Sequence, residues 1–193
     1  MVVGAGLGQS LWWAIERTRP KPDIRSLLPD ISGEYELVDH TGRLRTDRDF
    51  RGKVQIVFFG FTNCPDVCPT GLGYIAAALD GLGTHAADFQ TIFITVDPQR
   101  DTPAQLAAYV GNFHPSFIGL SGTAEQTARA AAGFRVIYAK ANIAGPDSYT
   151  MDHTATITLL DRAGRFAGTL DTHEKLDVAI EKLRLVAVRA GGS

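Results

Sequence analysis

Cysteine is scarce in this chain: 193 residues hold two, Cys64 and Cys68. Two thiols four positions apart are too few for a disulfide framework, and too few for a cysteine-rich zinc site. An excess of one charge is missing as well. Nineteen Lys and Arg stand against 21 Asp and Glu, a net charge of −2. With no long Lys or Arg run either, nothing points to nucleic acid as a partner. Internal repeats and low-complexity tracts do not occur. Also absent is an apolar run of the roughly 20 residues needed to cross a bilayer.

The nearest thing to such a run is Val2 to Ile15, mostly apolar and small, closing on Leu11-Trp12-Trp13. It reads as the end of a membrane anchor, because a tryptophan pair suits a membrane interface. It lacks the basic start and small-residue cleavage site of a complete signal peptide. Arg17, Arg19 and Lys21 follow it. The positive-inside rule puts that side in the cytoplasm unless upstream charges outweigh them. The alternative is a short amphipathic N-terminal helix. Pro20-Lys21-Pro22 and Leu28-Pro29 then make a stiff linker. The expected division is a partial membrane anchor and Pro-rich linker over residues 1–30, and one domain over 31–193. With 45% hydrophobic and 21% charged residues, the chain can bury a full core.

What the chain does have gathers at Phe58-Phe59-Gly60-Phe61-Thr62-Asn63-Cys64-Pro65-Asp66-Val67-Cys68-Pro69. Val54–Phe59 reads as a buried strand. Gly60, Asn63 and Pro65 break it. Pro69 and Thr70 open an alanine-rich helix expected over Leu72–Leu82. Both thiols then sit on an exposed strand-to-helix turn, where the helix dipole lowers thiol pKa values. Paired thiols at such a place suit dithiol redox chemistry or a soft metal. A structural disulfide closing so short a loop gains little chain entropy.

Elsewhere, Glu34–Val38 and Arg43–Arg45 flank an Asp39-His40-Thr41-Gly42 turn, a hairpin pattern. Gln90–Val96 reads as a second buried strand. Asp101 or Thr102, ahead of Pro103, caps a helix reaching about Asn112. Then come an extended Pro115–Leu120, a helix Thr123–Ala132 stopped by Gly133, and an extended Arg135–Ala139. A loop is expected over Ala141–Thr150 and a strand over Thr154–Leu160, returning as a hairpin at Arg165–Gly168. Glu174–Ala190 is a closing amphipathic helix. This order predicts an α/β, thioredoxin-like fold: a mixed central sheet flanked by helices on both faces, with an extra N-terminal β-hairpin.

Three stretches resemble the Sco/SenC family of copper chaperones. They are Phe58 to Thr70 around the cysteines, Phe93-Ile94-Thr95-Val96-Asp97-Pro98-Gln99-Arg100-Asp101-Thr102-Pro103, and Tyr149-Thr150-Met151-Asp152-His153-Thr154. The resemblance covers about Ile31 to Ala190. It implies a thioredoxin-like carrier of copper, Cu(I) or Cu(II), to the dinuclear copper centre of cytochrome c oxidase. It implies Cys64, Cys68 and His153 as the copper ligands. The implied partner is the copper-site subunit of the oxidase, with another copper chaperone as candidate donor. The implied location is the inner membrane with the domain facing the periplasm, or the mitochondrial intermembrane space in a eukaryote.

The competing reading is an enzyme, a thiol–disulfide reductase using Cys64 and Cys68 on an oxidase subunit. A peroxiredoxin-type peroxidase needs Thr-x-x-Cys, and Phe61 stands three places before Cys64. His40, His85, His114 and His173 read as solvated surface residues. Asp97 has two readings. It tunes the site or binds a partner, or it caps the Pro98–Arg100 turn while Arg100 pairs locally.

Overall fold

The computed structural model describes residue 31 and residues 33–143 and 148–189. The expected anchor and linker of residues 1–30 lie outside the described residues.

Two seven-residue strands, β3 (Val54–Gly60) and β4 (Phe89–Thr95), are buried throughout. Their bulky apolar residues leave no polar face, which is the mark of a strand covered on both sides. They run parallel in register from Val54↔Phe89 to Gly60↔Thr95. β5 (Ile118–Ser121) continues the parallel set beside β4. β8 (Ile157–Leu160) pairs antiparallel with β3, and β9 (Phe166–Leu170) with β8. β1 (Glu36–Asp39) and β2 (Leu44–Thr46) form the expected N-terminal hairpin, and β1 joins β5 antiparallel. The mixed sheet therefore runs β2-β1-β5-β4-β3-β8-β9.

Helices cover both faces. α1 (Val67–Leu82) presses on Phe58: a Cβ added to Gly71 would come within 2.8 Å of that ring. Phe93, beside Phe58 in register, meets Tyr109 of α2 (Pro103–Gly111) with ring centroids 5.5 Å apart. Phe59 points the other way, as the period of two requires. It meets Phe134, just past α3 (Ala124–Gly133), at 5.3 Å between centroids. α4 (Leu176–Arg189) lies along α1, where Gly81 sits against Ile180.

The hairpin turn is organised by Asp39. Its carboxylate accepts from the Thr41 amide and hydroxyl, the Arg43 amide and Arg45 Nε, at 2.8, 2.6, 3.0 and 2.8 Å. Gly42 supplies the positive φ of 85° that the turn needs. His40 is half-buried here, not the solvated residue expected, because its Nδ1 accepts the Gly119 amide at 3.0 Å across the β1–β5 edge. His114 is half-buried too, with its Nδ1 2.7 Å from the Ser116 hydroxyl and its ring against Phe117. His85 and His173 are exposed as expected.

Three boundaries differ from expectation in ways that matter to the site. α1 starts at Val67, not Leu72, so Cys68 and Pro69 lie in its first turn. A proline is tolerated there because first-turn amides lack helical partners anyway. The segment expected as a loop, Ala141–Thr150, supplies the inner ends of two strands. β6 (Tyr138–Asn142) and β7 (Tyr149–His153) pair from Tyr138↔His153 to Asn142↔Tyr149 as a separate two-stranded sheet. The strand expected from Thr154 begins only at Ile157, so His153 closes β7 and does not merely precede β8.

Candidate metal centre

β3 delivers the chain to the cysteine turn, and a buried carboxylate fixes that turn. Asp101 is 1% exposed. It accepts the Thr62 amide at 3.0 Å, the Thr62 hydroxyl at 2.6 Å and the Thr95 hydroxyl at 2.5 Å. Burial raises its pKa, and the bonds from Thr62 and Thr95 oppose that rise. The helix cap falls instead to Thr102, whose hydroxyl accepts the Gln105 amide. Asp101 thus leaves the capping role to its neighbour and holds the residue two places before Cys64.

The exposed part of the turn is Asn63, Pro65, Asp66 and Val67, while both sulfurs face inward. Cys64 is 9% exposed, and its Sγ accepts the Cys68 amide at 3.4 Å. Cys68 is fully buried. Its sulfur occupies space left by Gly60, where an added Cβ would lie 2.7 Å from Sγ. The expected lowering of thiol pKa does not hold for Cys68. Burial, and then its hydrogen bond with Cys64, push this thiol far up. A helix terminus contributes up to about 1 kcal/mol in ordinary settings, and desolvation of a buried anion exceeds that.

His153 approaches from the end of β7. Its Nε2 is 3.3 Å from Cys68 Sγ, and its Nδ1 is 3.1 Å from the Thr154 carbonyl oxygen. A carbonyl only accepts, so Nδ1 carries the proton and the Nε2 lone pair faces the sulfur. Phe61 meets the imidazole edge-on at 5.9 Å between centroids, with Phe58 at 6.4 Å. Burial lowers the His153 pKa, against the opposing bond to Thr154. Cys68 therefore keeps its proton, and the His153 imidazole is neutral with its single proton on Nδ1.

Cys64, Cys68 and His153 bring one ligand atom each to within 4.8 Å of the others. No second group of this kind occurs among the described residues. Both thiols are free. Two sulfurs and one imidazole nitrogen suit a soft ion of low coordination number, Cu(I) foremost. The same two thiols suit dithiol–disulfide exchange.

Sequence reasoning missed a second cluster beside the site. Asp97 is 3% exposed and pairs with Arg100, as one reading expected. Its side chain does not cap the turn, which closes through the Asp97 carbonyl accepting the Arg100 and Asp101 amides. Instead its Oδ1 accepts the Tyr149 hydroxyl at 2.9 Å. Arg100 Nη1 donates to the Tyr149 carbonyl at 2.9 Å, and the guanidinium lies 3.7 Å from the Tyr149 ring centroid. No local pattern signals this, because Asp97 and Tyr149 stand 52 residues apart.

Comparison with known proteins gives a consistent result. The SCO1/SenC family model matches residues 25–187. An SCO2-like protein of Rickettsia felis is 39% identical over 137 residues, 70% of this chain and 67% of its own length. The mitochondrial SCO2 homologue of Bos taurus is 40% identical over 173 residues, 86% of this chain and 65% of its own. The chain thus spans about two thirds of the length of these curated relatives. Among solved structures, ScoI of Bradyrhizobium japonicum with copper bound superposes with a TM-score of 0.75 at 40% identity. That match covers 81% of this chain and 99% of the other.

Proposed function

The chain belongs to the SCO1/SenC family, and from that premise we propose that it is a copper metallochaperone for the dinuclear copper centre of cytochrome c oxidase. Copper is its cargo. The ligands are Cys64, Cys68 and His153, and the observation that carries this reading is their convergence within 4.8 Å with both thiols free. The copper-bound state of the Bradyrhizobium japonicum relative supports the choice of metal. Cys64 is 9% exposed and Cys68 is fully buried. Ligand exchange with a donor or acceptor therefore starts at Cys64, while Cys68 and His153 retain the ion. Binding must displace the Cys68 proton, since the thiolate is the ligand.

The partner is the copper-site subunit of the oxidase, and the candidate donor is another copper chaperone. Residues 1–30 tether the domain of residues 31–193 to the inner membrane, facing the periplasm or the mitochondrial intermembrane space. The apolar run before the Pro-rich linker and the mitochondrial bovine relative support that placement.

Titration of reduced protein with Cu(I) against a competing chelator tests the assignment. One copper is expected per chain, with Cys64→Ser and Cys68→Ser each binding far more weakly. Variants that bind as tightly as the parent sink it. The adjacent free thiols also support the reductase reading. That reading expects His153→Ala to reduce an oxidase-subunit disulfide at the parental rate; the chaperone reading expects that variant to bind Cu(II) poorly.

A further inference from the structure

The strand that carries His153 has no backbone ladder to the main sheet. β6 and β7 pair with each other alone. Something else must set where His153 stands relative to the cysteines. At the opposite end of β7, Tyr149 is gripped from the loop after β4. Asp97 takes its hydroxyl, Arg100 takes its carbonyl, and the Arg100 guanidinium lies over its ring. Lys140 of β6 adds a second cation 3.6 Å from the same ring centroid. The grip is largely out of water, with the Asp97 side chain 4% exposed and that of Arg100 27%. Tyr149 and His153 are four residues apart on one strand, about 13 Å at the usual rise. Arg100 also lies 5.9 Å from the centroid of Phe61, whose ring meets His153 edge-on.

We propose that Asp97 and Arg100 are positioning residues for the third ligand: through Tyr149 they hold the β6–β7 hairpin so that His153 meets the two thiols. They touch neither the sulfurs nor the metal. The loop from Asp97 to Asp101 then sets both halves of the site. Its Asp101 end fixes the cysteine turn through Thr62, and its Asp97 end fixes the histidine strand. The proposal rests on the copper reading given above.

The test uses Asp97→Asn, Tyr149→Phe and Arg100→Lys, with His153→Ala as comparator. Two measurements apply: amide hydrogen exchange of the reduced, metal-free protein, and the thiolate–Cu(II) charge-transfer band of the loaded protein. Asp97→Asn removes the charge that holds Arg100. It should speed exchange across Tyr138–Asn142 and Tyr149–His153 while β3 keeps its protection. The band should move toward that of His153→Ala, and Cu(II) affinity should fall about tenfold, the usual order for a group that orients a ligand. Cu(I), which two thiolates can hold, should lose less. Arg100→Lys keeps the charge but loses the planar fork, so it and Tyr149→Phe should each move both readouts in the same direction as Asp97→Asn, by less. Adding Asp97→Asn to His153→Ala should cost no further Cu(II) affinity, because both act through one ligand.

If Asp97→Asn keeps parental exchange and the parental band while His153→Ala shifts the band, the positioning role is overturned and the copper reading stands. An additive double variant also overturns it. If His153→Ala itself leaves the band unchanged, the ligand assignment falls and takes the inference with it. Should Asp97→Asn fail to fold, Tyr149→Phe decides, since it deletes one hydroxyl from a half-buried residue.

Discussion

At Cys68 two residue-scale effects oppose each other: a helix N-terminus that favours the thiolate and a buried setting that favours the thiol. Burial wins, and the consequence is readable in stability. The folded state holds the Cys68 proton more tightly than the unfolded state does. Above about pH 8.5, where an unfolded thiol ionises, the unfolded state is the one that loses protons and stability must fall. His153 has the opposite shift. Below about pH 6.5 the unfolded histidine gains a proton that the folded one resists, so stability falls there as well. Denaturant melts of reduced, metal-free protein should show both limbs. Cys68→Ser should flatten the alkaline one and His153→Ala the acid one; unaltered limbs would contradict the protonation states assigned here. Gly60 offers a second case. Its Cβ would lie 2.7 Å from Cys68 Sγ and 2.7 Å from the Phe93 ring. Gly60→Ala should cost about 1–3 kcal/mol by overpacking and weaken Cu(I) binding in the chelator competition. Parental copper affinity in a folded Gly60→Ala protein would show that the sulfur tolerates displacement.

Elements divide into those that build the site and those that only complete the sheet. The β1–β2 hairpin is of the second kind. It hangs on Asp39, whose pKa burial alone would raise. The bonds from Thr41, Arg45 and Arg43 prevail and hold the carboxyl far below its usual range. Asp39→Ala removes those acceptors and leaves Arg45 without its partner. The expected loss is about 2 kcal/mol, in the range of a charged buried hydrogen-bond acceptor, read from denaturant melting. Copper affinity should not change, because β3 and β8, which flank the site, lie beyond β5 and β4 in the sheet. A large fall in copper affinity would show that this edge acts on the site. The β6–β7 hairpin is of the first kind, since the last residue of β7 is a ligand candidate and the first residue of that strand is held by Arg100.

For the molecule as a whole, we propose that the folded domain begins at residue 31. Ile31 is partly buried and packs on the core, and the family match runs from residue 25 to 187. Removal of residues 1–30 should therefore leave the thermal melt and Cu(I) affinity of the remaining domain close to those of the full chain. A large drop in either would place the N-terminal stretch inside the fold.

Much of this architecture was legible in the chain because it is written in neighbours. The apolar runs of β3 and β4, the Gly and Pro breaks at the cysteine turn, and the Thr102 cap before Pro103 are all local signals. So is the spacing of Cys64 and Cys68. His153 stood out only through a family motif, because the contact that gives it meaning spans 85 residues. The β6–β7 hairpin escaped notice since its strands are polar and half-exposed, with no alternation to mark them. Only tertiary packing decided the state of Cys68. Its burial depends on α1 closing over Phe58 and on the missing side chain of Gly60, and desolvation is a property of everything around a group. Only tertiary packing, likewise, turned Asp97 toward Tyr149 and Asp101 toward Thr62, 52 and 39 residues away. A residue's type and spacing set which contacts it can make, whereas the folded sheet determines which partner is within reach.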